Sequence, residues 1–273
     1  MGAPLRNRTK FVLAATALVA AAAGVSARQL LASRAGSTRN ATAPPKSAAG
    51  AAAGAELVLH VPHTPGAITL DGDADDPGWT GQPTPARTHE FLLPSGAPAR
   101  PFSEIRLVWG DGYLYLCLYA ADEDIESRTT EPDGPLWLDD AFRVVFARDT
   151  TEYAIEVSPR AVITDSIRHA GGGGGGAGGP GGARAGAESG GWDYAWSSGA
   201  HVSKEMDGTL NDPTNMDEEW VIEMAVPFES LGLEGRPGET LGFSASRCDT
   251  PKGAQRVCAS WGQGAERGRI VLD

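Results

Sequence analysis

The 273-residue chain is poor in cysteine, histidine, aromatic residues and positive charge, and each shortage excludes a class of function. With only three cysteines, and no second Cys or His pair beside any two of them, a tetrahedral zinc site has no basis. No CxxCH stretch occurs, so covalent haem attachment is excluded. His60, His63, His89, His169 and His201 are scattered and stand beside no serine or cysteine motif, which leaves nucleophilic catalysis unsupported. Lys and Arg number 23 against 35 Asp and Glu, a formal net charge of −12. An acidic surface repels phosphate backbones and anionic bilayers, so neither nucleic acid nor an anionic membrane is an expected partner. Neutral sugars remain compatible with that charge.

Long apolar runs are also scarce. The one near the start, "FVLAATALVAAAAGV" from Phe11 to Val25, follows Arg6, Arg8 and Lys10. A comfortable membrane span needs about 20 apolar residues, and this run is shorter. Small residues ending in "VSA" at Ala27 complete the pattern of an export signal over 1–27. An uncleaved signal anchor is the alternative, and either one places the domain outside the cytoplasm, secreted or periplasmic. From 28 to 56 the chain is Ala, Ser, Gly, Pro and Thr, too little to offset chain entropy, and is expected to be a flexible linker. A single domain is expected over 57–273. The glycine-rich stretch at 170–191 reads as a loop insertion in that domain, because a phosphate cradle would need a following helix and usually a lysine.

What is present is alternation. In "EIRLVWGDGYLYLCLYAAD" Ile105, Leu107 and Trp109 share one face, Gly110-Asp111-Gly112 turns the chain, and Leu114, Leu116 and Leu118 share a face on return. Tyr113, Tyr115, Cys117 and Tyr119 take the other face, so both are substantially covered, with Cys117 a buried free thiol. "AFRVVFARDTTEYAIEV" predicts a hairpin turning at Asp149-Thr150. That register pairs Phe142 with Val157, Val144 with Ile155 and Phe146 with Tyr153 on one face, and Arg143 with Glu156 on the other. "EEWVIEMAVPFESLG" adds a strand with Trp220, Ile222, Met224 and Val226 on one side, stopped at Pro227, then a short helical turn. "TLGFSASRCD", "RVCASWG" and "GRIVLD" supply the last strands. The fold class expected is all-β, an antiparallel, jelly-roll-like sandwich.

Two polar features invite chemistry. Cys248 and Cys258 bracket a turn at Pro251-Lys252-Gly253 and can be bridged in an oxidising compartment. Asp139 and Asp140 stand directly before the hairpin in "PLWLDDAFRVVFAR". Consecutive acids on a strand point to opposite faces and make poor acid–base partners for glycoside hydrolysis, so no enzyme activity is expected. Loop support, a calcium site and ordinary solvated turn acids are the readings left for them.

The ordered series "ITLDGDADDPGW", "IRLVWGDGYLYLCLYAADEDI", "PLWLDDAFRVVF", "YAIEVSP", "GTLNDPTNMDEEWVIEMAVPFESLG", "GFSASRCD" and "ASWG" resembles the family 9 carbohydrate-binding modules, over about 67–273. The resemblance implies a β-sandwich that binds poly- or oligosaccharide between aromatic rings without catalysis, in support of polysaccharide breakdown or envelope glycan contact. Trp137 matches the aromatic before the acidic pair, and a sugar's C–H face packs on such a ring. Arg143 stands where the family commonly has Glu, and Glu156 faces it where sugar-binding members can have a cation, so the pair is swapped and the family's sugar preference does not carry over. No second aromatic wall matches near the C-terminus, leaving Trp192 or Trp196 as substitutes. Family members bind calcium, and Asp122, Asp124, Asp139 and Asp140 are the candidate oxygen donors. A haem-binding electron-transfer sandwich is the alternative, with Met206, Met216, Met224 and Lys204 as the available ligands. An envelope domain without a sugar ligand is a third.

Overall fold

In the computed structural model, residues 57–88, 90–169, 191–262 and 267–273 are described. The expected signal, the linker, His89 and residues 170–190 of the glycine stretch lie outside the described residues.

Alternation builds two sheets. The first runs β1 (Val58–Val61), β12 (Gly268–Leu272), β10 (Thr240–Asp249), β5 (Ala141–Arg148), β6 (Thr151–Val157) and β7 (Ile163–His169), with β11 (Val257–Trp261) on the edge of β10. The second runs β2 (Ala86–Arg87), β3 (Ser103–Gly110), β4 (Tyr113–Ala121), β9 (Glu219–Pro227) and β8 (His201–Asp207). All strand pairs are antiparallel except β1 with β12. The only α-helix among the described residues is the four-residue α1 (Pro77–Thr80). The expected all-β sandwich is what the chain forms.

The registers follow from residue type. Phe142 opposes Val157, Val144 opposes Ile155, Phe146 opposes Tyr153 and Arg143 opposes Glu156, as the apolar pattern requires. Asp149 adopts φ +52° in the turn between them. In the β3–β4 hairpin Gly110 stays in the ladder opposite Tyr113, and Asp111 (φ +51°) with Gly112 (φ +87°) makes the turn alone. The "FESL" turn is a 3₁₀ helix, Phe228–Leu231, closed by Gly232 at φ +67°. Between the sheets Phe142, Phe146, Phe243, Leu114, Leu116 and Trp220 are fully buried. Each such side chain contributes roughly 1.5–3 kcal/mol by leaving water.

The outer face of the second sheet is closed by the segment that carries "LDGDADDPGW". Trp79, Ala74 and Ile68 pack on Val108, Cys117 and Val221. Glu223, fully buried, is the hub of this lid. Its carboxylate accepts the Trp79 indole N–H at 2.6 Å and the Asp71 and Gly72 amides at 2.9 and 2.5 Å. Burial raises the Glu223 pKa, and these three donors pull it back only in part. Gly72 sits at φ +98°, and a Cβ there would meet the Lys204 backbone at 2.3 Å, so only glycine lets the chain lie this close. Cys117 beneath the lid is a buried free thiol, its pKa pushed up to about 12 by desolvation.

Candidate functional site

The outer face of the first sheet is built differently. Arg143 on β5 stands opposite Glu156 on β6, with Nη1 3.4 Å from Oε1. Four residues away on β6, on the same face, Glu152 stands opposite Arg168 on β7 and accepts its Nε–H at 2.7 Å. The Arg267 guanidinium reaches the other Glu152 oxygen at 2.6 Å. Burial raises the Glu152 pKa, but the two guanidiniums together outweigh it and hold the carboxyl below its ordinary value. Gly242 makes room for this reach, since a Cβ there would meet the Arg267 stem at 3.4 Å and the Ala147 methyl at 3.1 Å.

Trp192 spans the two charge pairs. Its ring centroid lies 5.1 Å from the Arg143 guanidinium carbon and 4.6 Å from that of Arg168. Ala154 lies between Glu152 and Glu156 on the same face of β6 and is 1% exposed. The backbone holds Trp192 beside β7, as Asp193 and Ile167 exchange amide–carbonyl bonds of 2.7 and 3.0 Å. Each cation–π contact adds about 0.5–1 kcal/mol at a partly exposed site. Trp196 is placed elsewhere, against Tyr153 at 5.5 Å, and Tyr153 lies on the opposite, core-facing side of β6.

Trp137 lies in the 3₁₀ turn Leu136–Leu138. Leu136 is buried as its anchor, Trp137 is half-buried, and Leu138 is 64% exposed. Just upstream, Asp133 N–H bonds the Ile163 carbonyl, and the Gly134 carbonyl accepts Thr164 Oγ1–H at 2.8 Å. Thr164 is the β7 neighbour of Glu156, so the chain carrying Trp137 docks at the Glu156 end of the face.

The acidic pair is a clamp. Asp139 and Asp140 are 1% and 0% exposed, and Asp122 and Asp124 are 2% and 6%, which overturns the reading of solvated turn acids. Asp139 Oδ2 accepts the Thr129 amide at 2.8 Å, and its carbonyl accepts Arg256 Nη2–H at 2.9 Å. Asp140 accepts the Glu126 and Thr250 amides at 2.7 and 2.9 Å, tying two loops to the start of β5.

Of the four candidate calcium donors, the structure brings together only Asp122 and Asp140, and adds Asp249, which the sequence reading missed. Asp124 donates its amide to Asp122, and Asp139 faces Ser127 and Thr129. The triad already holds a cation. Arg247, 3% exposed, sets Nη2 2.8 Å from Asp122 and 2.9 Å from Asp249, while Nη1 donates to the Ala121 carbonyl at 2.9 Å and Ser103 Oγ at 3.1 Å. Trp220 Nε1–H adds a bond to Asp122 at 3.0 Å. Burial, then the neighbouring Asp122 charge, pushes the Asp140 carboxyl up to about 8. A calcium ion there would have to displace a hydrogen-bonded guanidinium, and calcium wants six to eight oxygens. The residues as arranged do not fit it.

Cys248 and Cys258 are direct cross-strand neighbours on β10 and β11 and form a disulfide. Of the haem-ligand candidates, Met224 is fully buried in the core and Met216 is 65% exposed.

These features define a two-sheet sandwich with one sealed outer face and one polar outer face carrying half-buried indoles. The fold matches solved structures. A Bacteroides uniformis protein assigned as carbohydrate-binding aligns with a TM-score of 0.58 at 13% identity, over 80% of this chain and 99% of that one. Family 9 carbohydrate-binding modules from Caldicellulosiruptor kristjanssonii also align. The one complexed with cellotriose has a TM-score of 0.47 and the one with glucose 0.48, both at 16% identity over 79% of this chain and 93% and 95% of theirs. No protein-family model matches the chain, and no curated protein matches its sequence. The sandwich expected from the resemblance is thereby shown as a fold.

Proposed function

We propose that this is a non-catalytic, exported carbohydrate-binding domain whose ligand lies on the outer face of the first sheet. The observation that carries this is the half-buried Trp192 laid across the Arg143–Glu156 and Arg168–Glu152 pairs, with the Trp137 turn docked at the same end as Glu156. An indole gives a sugar's C–H face something to pack on, and fixed guanidinium and carboxylate groups beside it can orient hydroxyls. The likeness in fold to a protein assigned as carbohydrate-binding supports the reading. A basic, apolar, then small-residue N-terminus and a disulfide agree with export.

Bond cleavage is not part of the proposal. Glu152 and Glu156 share one face of one strand four residues apart, about 13 Å at a rise of about 3.3 Å per residue, wider than the roughly 5–10 Å a glycosidase pair needs. The test is binding of the full chain to neutral and acidic oligosaccharides and to insoluble glycans. Trp192→Ala and Trp137→Ala should each weaken binding about tenfold or more while the far-ultraviolet spectrum stays unchanged. Unchanged affinity in both variants would remove this face as the site.

A further inference from the structure

At the end of β5 away from the Trp137 turn, β5 and β10 part. Their ladder runs from Ala141–Cys248 to Ala147–Gly242, and beyond it β5 turns at Asp149 while β10 has its start at Thr240. The fork leaves a hollow of about 370 Å³, whose walls include Arg148, Asp149, Leu233, Glu239 and Thr240. Small-molecule sites occupy ~300–1,000 Å³, so it has room for one small ligand. At its Gly242 edge lies the stem of Arg267, whose guanidinium is engaged with Glu152.

Arg148 has no such acid. It shares the inward parity of Phe142, Val144 and Phe146, at the rim of the sandwich. Its Nη1 is closed off from solvent and has no hydrogen-bond acceptor. Gly232 packs beside that nitrogen, since a Cβ there would lie 3.6 Å from it and 3.8 Å from the Tyr153 hydroxyl oxygen. Among the described residues the guanidinium forms neither a side-chain hydrogen bond nor an ion pair. Glu239, on the same hollow, is a fixed acceptor. Its carboxylate accepts the Arg236 amide at 2.8 Å and the Glu234 amide at 3.1 and 3.2 Å. Burial raises the Glu239 pKa, but the amides of Arg236, Glu234 and Gly235, and then the Arg148 charge, outweigh it and hold the group low. A donor and an acceptor thus line one hollow without bonding each other.

We infer that this hollow is a second sugar site, which takes a neutral ring by its edge, one hydroxyl accepting from Arg148 and its neighbour donating to Glu239. An anion would meet the carboxylates of both Asp149 and Glu239, and an ammonium would leave Arg148 unpaired. A half-buried guanidinium without an acceptor has already given up part of its hydration, so an arriving oxygen displaces little water for a charge-assisted bond. The walls carry no aromatic ring, so recognition here is polar. The site shares no residue with the Trp192 platform and stands or falls apart from it.

The test is a set of amide proton–nitrogen spectra of the full chain titrated with glucose, galactose, mannose and xylose, with succinate as the anion control. At least one sugar should shift the Arg148, Asp149 and Thr240 amides saturably, in the wild type and equally in Trp192→Ala. Arg148→Gln should weaken that binding about tenfold or more, the scale of one hydrogen bond to a charged group, and leave any sugar response at Trp192 and Asp193 as it was. Thr240→Trp, at an exposed position, should fill the hollow and abolish the response there. Sugar shifts confined to the Trp192 face would overturn the second site and leave the proposed function standing, whereas shifts confined to the hollow would support the second site and remove the face. No shift at the hollow with any of the four sugars, a response there to succinate alone, or an Arg148→Gln protein that binds as the wild type does would each overturn the inference.

Discussion

The two outer faces of the sandwich start from the same pleated alternation and end with opposite surfaces. On the second sheet, outward Val108, Cys117 and Val221 are apolar, so a segment must cover them, and Trp79 does so with its indole N–H bound to Glu223. On the first sheet, outward Arg143 and Glu156, and Glu152 and Arg168, pair across strands, and Trp192 lies over them as a half-buried bar. The difference shows how the same residue type serves two ends. An indole whose N–H bonds a buried carboxylate is a structural plug, whereas one stacked on guanidiniums is what the proposed binding face would use as its platform.

The comparison breaks most directly through its two tryptophans. Trp79→Ala should cost about 3–5 kcal/mol, since it opens a cavity and leaves Glu223 short of a donor, and Trp192→Ala only about 1–2 kcal/mol. Urea denaturation midpoints would show this, and a reversed order would refute the assignment of plug and platform. Arg247, which joins the two sheets, sharpens the calcium question. Arg247→Ala should also cost about 3–5 kcal/mol by leaving buried acids unpaired. Thermal midpoints of the wild type should not move with calcium or chelator, while the variant should regain stability in millimolar calcium. A wild-type midpoint that rises with calcium would show that the cluster takes the ion despite its guanidinium.

The same cluster sets a pH dependence. Asp140 is raised to about 8 in the folded chain and Asp249 to about 6, so between the ordinary carboxylate range and those values the native state holds more protons than the unfolded one. Stability contributed by these groups therefore falls as pH rises from about 4 toward 8. Glu152, held low by two guanidiniums, works in the opposite sense and loses its contribution only as pH falls below the ordinary carboxylate range. Asp140→Asn should flatten the decline, and a decline unchanged in that variant would place the titration elsewhere. Reduction of Cys248–Cys258 should cost roughly 2–3 kcal/mol, read from the same denaturation curves. Arg143→Gln is the smallest change expected in stability, about 1–2 kcal/mol, because the guanidinium is itself partly exposed although Glu156, which it serves, is buried.

Much of the fold was legible because alternation carries it. The Phe142–Val157 hairpin register, the 105–119 hairpin and the disulfide all follow from local pattern, and each is realised. The site was legible only in part. Arg143 and Glu156 were found because their register was, but Arg168 and Glu152 were not, although "ITDSIRH" alternates and could have been added as the next strand. Asp249 and Arg247 were invisible as partners of Asp122 because β10 and the end of β4 meet only across the sandwich. The burial of Asp139 and Asp140 likewise depends on loops from 126–129 and 250 folding back over them.

By itself the amino-acid order determined the strand pattern, the pairing of sequence-adjacent strands and the cross-strand disulfide, because each depends on side-chain parity over a few residues. Only the tertiary structure decided which outer face would be sealed, that a guanidinium would sit among the buried acids, and that Trp192 would bridge two ion pairs. Those outcomes depend on segments far apart in the chain competing to cover the same surface, and no local period records which one wins.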